Sequence, residues 1–532
     1  MSAGPKPLWW QAGTIYQIYP RSFQDSNDDG IGDLAGIIDR LDYLVWLGVD
    51  AIWLSPVYPS PMADFGYDVS DYVGIEPLFG SLDDFSRLVD EAHGRGLKVI
   101  MDYVPNHTSE AHPWFVESRA ARTSAKRDWY IWRDEAPGGG PPNNWLSEFG
   151  GPAWTRDEAT GQYYYHAYLP QQPDLNWRNP SVRAAMHEVL HTWFKRGVDG
   201  FRIDTVHHLF EEHGLTDNPP NPDFKPGMAP TLALDRKNQY DQPEVHDALK
   251  EFRAIADAYG ARVLIGEIYL PLERIVTYYG TDLSGVHLPF NFHLIGAKWQ
   301  AKTVAELITR YEALLPTGAW PNWVLGNHDR ARVASRIGTE AARVAAMLLL
   351  TLRGTPTLYY GDEIGMTDGV IPPARVQDPW EKRVPGFGFG RDPVRTPMAW
   401  TAEPHGGFSV ADPWLPLHDT RQCNVAAQQS DSGSMLMLTR ALIALRRQEP
   451  ALSIGAYGPI EARGDVLVYE RHHNGRRLAV LLNFADSTIY TPLDGAGTRL
   501  LSTYPGPASE HAGPLVRLRP REGIVLEVSR QA

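Results

Sequence analysis

At 532 residues the chain is too long for one small core and calls for a large barrel or several domains. Its 50 basic and 64 acidic residues give a net charge of −14, which disfavours nucleic acid and anionic membranes as partners and leaves a neutral small molecule compatible. The one cysteine, Cys423, excludes an intramolecular disulfide, a thiolate zinc site and a cysteine redox pair, and fits a reducing compartment.

TIYQIYP, 14 to 20, alternates and reads as a first strand. DLAGIIDRLDYLVWLG, 33 to 48, carries apolar residues at helical spacing and stops at a glycine. AIWLSP, 51 to 56, is a second strand. SLDDFSRLVDEAHGRG, 81 to 96, opens on a serine cap with acids in its first turn, so it reads as a helix, and KVIMDYV, 98 to 104, is a third strand. The stretch 105 to 175, with PGGGPP, several tryptophans and QYYYHAYL, interrupts the alternation and reads as a small inserted domain.

The alternation resumes with helix 181 to 196, strand GFRID at 200 to 204, helix 243 to 259, and strands RVLIGEI at 262 to 268 and HLPFNF at 287 to 292. Helix 303 to 315, strand NWVLGNHD at 322 to 329, helix 339 to 352 and strand TPTLYYGDE at 355 to 363 follow. Eight strands alternating with helices predict an α/β chain, a (β/α)8 TIM barrel built from 1 to 104 and 176 to 450; a doubly wound open sheet is the alternative. The Pro- and Gly-rich stretch from 364 to about 430 is expected to pack over the barrel mouth, ahead of a last helix at 434 to 447. The runs VLVYERH, LAVLLNF and IVLEV make 451 to 532 a C-terminal antiparallel β domain, a sandwich. VAAMLLLTL is too short to span a bilayer, and MSAGPKPLWWQAG lacks the pattern of a secretory signal, so a cytoplasmic location is expected.

The chemistry gathers at strand exits. In GFRID the two-residue period sends Arg202 and Asp204 to one side, and a guanidinium beside a carboxylate favours the charged acid. Alone, that is equally a structural ion pair. Asp204 ends the fourth strand, Glu267 the fifth and Asp329 the seventh, and barrel chemistry sits at those ends. Glu267 stands between VLIG and Ile268, an apolar setting that raises its pKa, while Arg202 keeps Asp204 ionised. DSNDDGIGD puts Asp25, Asn27, Asp29, the carbonyl of Ile31 and Asp33 at alternate positions, the oxygen-rich spacing of a loop for Ca2+ or Mg2+. Gly36 stands where an EF-hand has its glutamate, and a strand precedes the loop, so this is not a calcium sensor.

DYVPNH (102 to 107), GFRID, GEI (266 to 268) and GNHD (326 to 329) together resemble the α-amylase superfamily, glycoside hydrolase family 13, over nearly the whole chain. DSNDDGIGD, MADFGYD, QPDLNW and GRDPVRTPMAW are similar to its exo-acting α-glucosidase and oligo-1,6-glucosidase branch. The resemblance implies Asp204 as nucleophile, Glu267 as general acid and base, and Asp329 as stabiliser of the transition state. It implies His107 and His328 as hydrogen-bond donors to the sugar, Asp64 and Tyr67 as its grip and platform, Arg391 as the group closing the non-reducing end, and Phe149 as a further contact. The Asp25 to Asp33 loop resembles the family's structural metal loop, and no organic cofactor is implied. Thr205 is similar to the residue that accompanies α-1,4 rather than α-1,6 cleavage.

The implied substrate is a short α-glucoside such as maltose. The alternatives are transglucosylation or isomerisation, an oligo-1,6-glucosidase, and a non-catalytic relative, against which the intact acid trio argues. Residues 207 to 240 have no assignment and are candidates for setting acceptor choice.

Overall fold

The structure, a computed structural model, describes residues 7–417, 420–421, 423–506 and 511–529. Eight parallel strands form one sheet: β1 (Ile15–Ile18), β2 (Ala51–Leu54), β3 (Lys98–Tyr103), β4 (Gly200–Ile203), β5 (Val263–Glu267), β6 (Leu288–Phe290), β7 (Asn322–Val324) and β8 (Thr355–Tyr359). Their spatial order is β7-β8-β1-β2-β3-β4-β5-β6. Because β1 pairs with both β2 and β8, the order runs round without reversing. That is a barrel and not a doubly wound sheet, whose order reverses at a switch point. The ring is nearly closed, and where β6 meets β7 the Asn322 side-chain oxygen accepts the Asn291 backbone N–H at 3.0 Å.

The strands read as continuous apolar runs because helices cover the outside and side chains fill the inside. Helix Leu82–Gly94 shows the local logic: Ser81 Oγ accepts the Asp84 N–H and the Asp84 carboxylate accepts the Ser81 N–H, closing a capping box. The expected helix 33 to 48 is two helices, Leu34–Asp39 and Leu41–Leu47. The break falls at Arg40, whose guanidinium turns onto Gln24 at 2.7 Å and over the Trp400 ring at 4.2 Å.

Between β3 and β4 lies a three-stranded antiparallel sheet, Tyr163–Tyr165 between Trp132–Arg133 and Trp154–Arg156, packed on its own cluster of Trp145, Trp154 and Tyr165. After the barrel comes a six-stranded antiparallel sheet with a two-stranded one, Ile489–Pro492 with Leu515–Leu518. Two fully buried arginines join this region to the barrel. Arg446 donates to the carbonyls of Leu350 (3.1 Å), Leu352 (2.9 Å) and Leu452 (3.0 Å), and Arg471 to those of Thr351 (2.6 Å) and Gly455 (2.8 Å). The carbonyls of Leu350, Thr351 and Leu352 lie at the C-terminus of helix Thr339–Thr351, and that of Leu452 in the short helix Pro450–Ser453, where four acceptors are left without intrahelical donors. No helix among the described residues is long and apolar enough to cross a membrane.

Candidate active site

β3, β4 and β5 bring three carboxyls together around one guanidinium. Asp102 is paired in register with Arg202, and Arg202 with Ile265, two residues before Glu267. Arg202 Nη1 donates to Asp102 Oδ1 and Asp204 Oδ1, both at 2.6 Å, and Nη2 lies 2.6 Å from Glu267 Oε1. Asp102 is further held by Trp53 Nε1 at 3.0 Å and the Tyr67 hydroxyl at 3.3 Å. Its signature was legible, an acid near the exit of the apolar run KVIMDYV much as Asp204 stands at the exit of GFRID, yet it was not singled out from the sequence.

Burial is the largest influence on all three acids. It pushes Asp102 and Asp204 up to about 6 despite Arg202, and Glu267 up to about 8, with the charges of Asp204 and Asp329 adding to the rise. Arg202 favours the ionised Asp204, as the sequence led one to expect, but it opposes a burial cost larger than itself. The order of the two acids stands, with Glu267 the more easily protonated. Around pH 7 Asp204 is therefore ionised while Glu267 carries a proton.

Asp329 lies five residues beyond Val324, the last residue of β7, in the following loop rather than in a strand. Burial would raise its pKa, but His328 and the guanidiniums of Arg395 and Arg391 hold it well below the usual carboxylate range. Burial keeps His328 itself neutral, so the two arginines supply the charge. Arg395 Nη2 donates to Asp329 Oδ1 at 2.9 Å and Arg391 Nη1 at 3.5 Å. Arg395 was missed because it acts from the loop-rich stretch after β8.

Thr205 follows the nucleophile candidate outside the strand, at φ +37, a left-handed conformation unusual for a β-branched residue. Its N–H donates to Glu267 Oε2 at 2.9 Å and its hydroxyl to Asp204 Oδ2 at 3.2 Å. These contacts reward the strained backbone, as is common where structure is held for chemistry.

A cavity of about 330 Å3 opens over these acids and is lined by Asp64, Tyr67, His107, Phe149, Asp204, Thr205, Glu267, His328, Asp329 and Arg391. At one end Arg391 Nη2 donates to Asp64 Oδ1 at 2.6 Å and to Asp378 Oδ1 at 2.7 Å, and the guanidinium lies 4.9 Å from the centre of the Phe149 ring. The Tyr67 ring stacks on His328 at 5.4 Å with its hydroxyl 2.8 Å from His328 Nε2. His107 Nε2 lies 3.1 Å from the Tyr67 carbonyl, and burial lowers its pKa to about 4. Sequence reasoning missed Glu148, Tyr168 and Gln172 in the lining; His207, His208, Arg236 and Tyr240 fall in the 207 to 240 segment that it pointed to without naming single residues. They sit in the insert and in the segment after β4, where no periodic pattern marks a site.

The Asp25 to Asp33 loop stands apart from this cavity. Asp25 Oδ1 accepts the N–H groups of Asn27 (3.0 Å) and Asp28 (2.9 Å), and Asp25 Oδ2 that of Gly30 (2.9 Å). Asn27 and Asp29 accept from the residues two places on, and Asp33 caps helix Leu34–Asp39 through the Gly36 N–H at 2.7 Å while accepting from Ser26. The donor set is all oxygen, which suits Ca2+ or Mg2+. Among the described residues no three Asp, Glu, His or Cys side chains converge on one point, so the loop as it stands is closed by its own hydrogen bonds.

Comparison with known proteins agrees with the geometry. The profile of the alpha amylase catalytic domain matches residues 17–455. A probable alpha-glucosidase of Rhizobium meliloti (strain 1021) is 42% identical over 519 residues, covering 93% of this chain and 94% of that protein. An oligo-1,6-glucosidase of Halalkalibacterium halodurans is 39% identical, with 90% of each chain covered. The crystal structure of an alpha-glucosyl transfer enzyme, XgtA, superposes with a TM-score of 0.93 at 39% identity, over 98% of this chain and 100% of that one.

Proposed function

The chain belongs to the alpha-amylase family of glycoside hydrolases, and on that premise we propose that it is a retaining exo-α-glucosidase acting on short α-glucosides, α-1,4-linked ones such as maltose first. The observation that supports it is the placing of two buried carboxyls on one guanidinium, Asp204 and Glu267, with burial raising Glu267 further above the usual carboxylate range than Asp204. A retaining glycosidase needs one ionised carboxylate to attack the anomeric carbon and one protonated carboxyl to hand its proton to the leaving oxygen. Asp204 takes the first role and Glu267 the second.

In the first step the bond from C1 to the leaving oxygen breaks, Glu267 gives that oxygen its proton, and Asp204 forms a glucosyl ester. In the second step Glu267 takes a proton from water, whose oxygen bonds to C1 as the ester breaks. Asp329, held ionised by Arg395 and Arg391, stabilises positive charge developing at the ring between the steps. Arg391 and Asp64 close the end of the cavity beyond the terminal sugar, which favours removal of single end units. Thr205 supports the α-1,4 preference. Transfer to an acceptor other than water is the second reading, favoured by the likeness to the transfer enzyme.

Nuclear magnetic resonance of fresh 4-nitrophenyl α-glucoside digests, which release one glucose per turnover, tests this: α-glucose appears first under retention, and β-glucose as first product overturns it. Asp204→Ala is expected to lower kcat by roughly 10⁴-fold or more, by analogy with losing a nucleophile elsewhere; full activity would end the assignment. The Asp25 to Asp33 loop is proposed to take a structural Ca2+ or Mg2+ through Asp25, Asn27, Asp29, the Ile31 carbonyl and Asp33, with no part in the chemistry; the oxygen donor set supports this. The cytoplasm is the proposed location, supported by the single free thiol, Cys423.

A further inference from the structure

Arg21, in the short turn Pro20–Ser22 after β1, is a buried cation without an acid of its own. It is 8% exposed, its Nε is buried with no hydrogen-bond partner, and among the described residues it forms no ion pair. Burial lowers its pKa, and no neighbouring acid outweighs that cost. Its guanidinium packs instead against two rings, 4.8 Å from the centre of Trp414 and 5.2 Å from that of Phe65, and those rings meet each other at 5.3 Å. Arg21 Nη1 lies 3.6 Å from Met62 Sδ. A guanidinium stacks on aromatic faces, and the attraction grows where water is excluded.

What these contacts hold is the loop Met62 to Tyr67. Met62 and Phe65 stand at φ +65 and +50, left-handed conformations uncommon for residues other than glycine. Such backbone persists only where its surroundings over-determine it. From within, the Asp68 carboxylate accepts the Ser60 hydroxyl at 2.8 Å and the N–H groups of Ala63 at 2.8 Å and Asp64 at 2.9 Å. From the other side Arg21 touches the side chains of both left-handed residues. Trp414 is pinned in turn, by Nε1 to Ser22 Oγ at 2.9 Å and by its N–H to the Gly30 carbonyl at 3.0 Å. Asp64 stands between Met62 and Phe65, and its carboxylate meets Arg391 Nη2 at 2.6 Å at the closed end of the cavity. Relaxing either left-handed residue would re-aim that carboxylate.

We propose that Arg21 is a positioning residue for Asp64: by clasping Met62 and Phe65 beside Trp414, it keeps the loop in the shape that aims the Asp64 carboxylate at the terminal sugar. Arg21 does not line the cavity and acts only through the loop. The proposal rests on the glucosidase reading, in which Asp64 grips that sugar.

A double-mutant cycle on kcat/KM for 4-nitrophenyl α-glucoside tests it. Arg21→Leu is expected to lower this value about tenfold in the unaltered enzyme, within the range of coupling between contacting residues, and less than about twofold in Asp64→Asn, where the carboxylate to be aimed is already gone. An equal fall in both backgrounds makes Arg21 a general packing residue, and no fall in either leaves the loop to Asp68 alone; each overturns the proposal. Should Arg21→Leu not fold, Phe65→Leu takes its place. It removes one ring from the clasp and is expected to cost about threefold, the worth of one exposed cation–π contact, with no further loss in Asp64→Asn; equal losses overturn the proposal. If the unaltered enzyme does not turn over the nitrophenyl glucoside at all, the glucosidase reading fails, a separate result seen before any variant is made.

Discussion

Arg202 and Arg446 are both buried to 1% exposure, and they are held in opposite ways. Arg202 faces three carboxyls on adjacent strands, and Asp102, Glu267 and Asp204 raise its pKa although burial opposes them. Arg446 faces carbonyls, and burial together with nearby Arg471 pushes its guanidinium down to about 9. The difference teaches what a buried cation is for. Among acids it is an electrostatic instrument that sets their protonation; among carbonyls it is a pin that satisfies acceptors at helix ends and joins two parts of the chain.

The sharpest way to break this contrast is to remove both in turn. Arg202→Met leaves three buried carboxyls without their common cation, a loss of about 3–5 kcal/mol in measured buried pairs, so kcat/KM on maltose is expected to fall roughly 10³-fold. If activity survives, Arg202 is only a packing group. A smaller effect is the pH profile of kcat/KM. Asp204 must be ionised, so activity falls as pH drops through about 6; Glu267 must be protonated, so it falls as pH rises through about 8. The two limbs belong to the coupled pair rather than to single residues. A profile flat from pH 5 to 9 would contradict the shared guanidinium as the origin of the split.

Arg446→Met is expected to cost about 3 kcal/mol of stability, from carbonyls left without donors at roughly 1–3 kcal/mol each, while kcat/KM stays within about twofold. Differential scanning calorimetry beside steady-state kinetics reads both, and a parallel loss of activity would erase the distinction. Smallest is the metal loop. Chelation is expected to lower the melting temperature by a few degrees without changing the ratio of maltose to isomaltose cleavage, and an unmoved melting curve counts against an ion there.

The strand exits were legible in the sequence because an apolar run ending in an acid is a local signal. The phase of Arg202 and Asp204 was legible too, since the strand period decides it. What was hidden is the contact of Arg202 with Glu267, which comes from the neighbouring strand, and the size of the burial cost on Asp204, which only packing reveals. Asp329 was read as a strand residue because NWVLGNHD is apolar up to Gly326, but the ladder ends at Val324. Arg395 and Asp378 lie in a stretch without periodicity, where a sequence carries few clues to which side chain turns inward. The same holds for His207 and His208, whose surroundings come from the insert and from residues near 240.

Asp204 and Thr205 are consecutive, and the Thr205 N–H holds Glu267. A single planar peptide unit, which resists rotation by a barrier of about 18–20 kcal/mol, thus lies between the attacking carboxylate and the anchor of the proton donor. The gap between the two reacting groups is thus braced twice, by this peptide unit through the Thr205 N–H on one side and by the Arg202 guanidinium that holds both carboxyls on the other, so flexing between β4 and β5 must stretch both braces at once. Warming that loosens the surrounding helices would leave both braces in place until the strands themselves part.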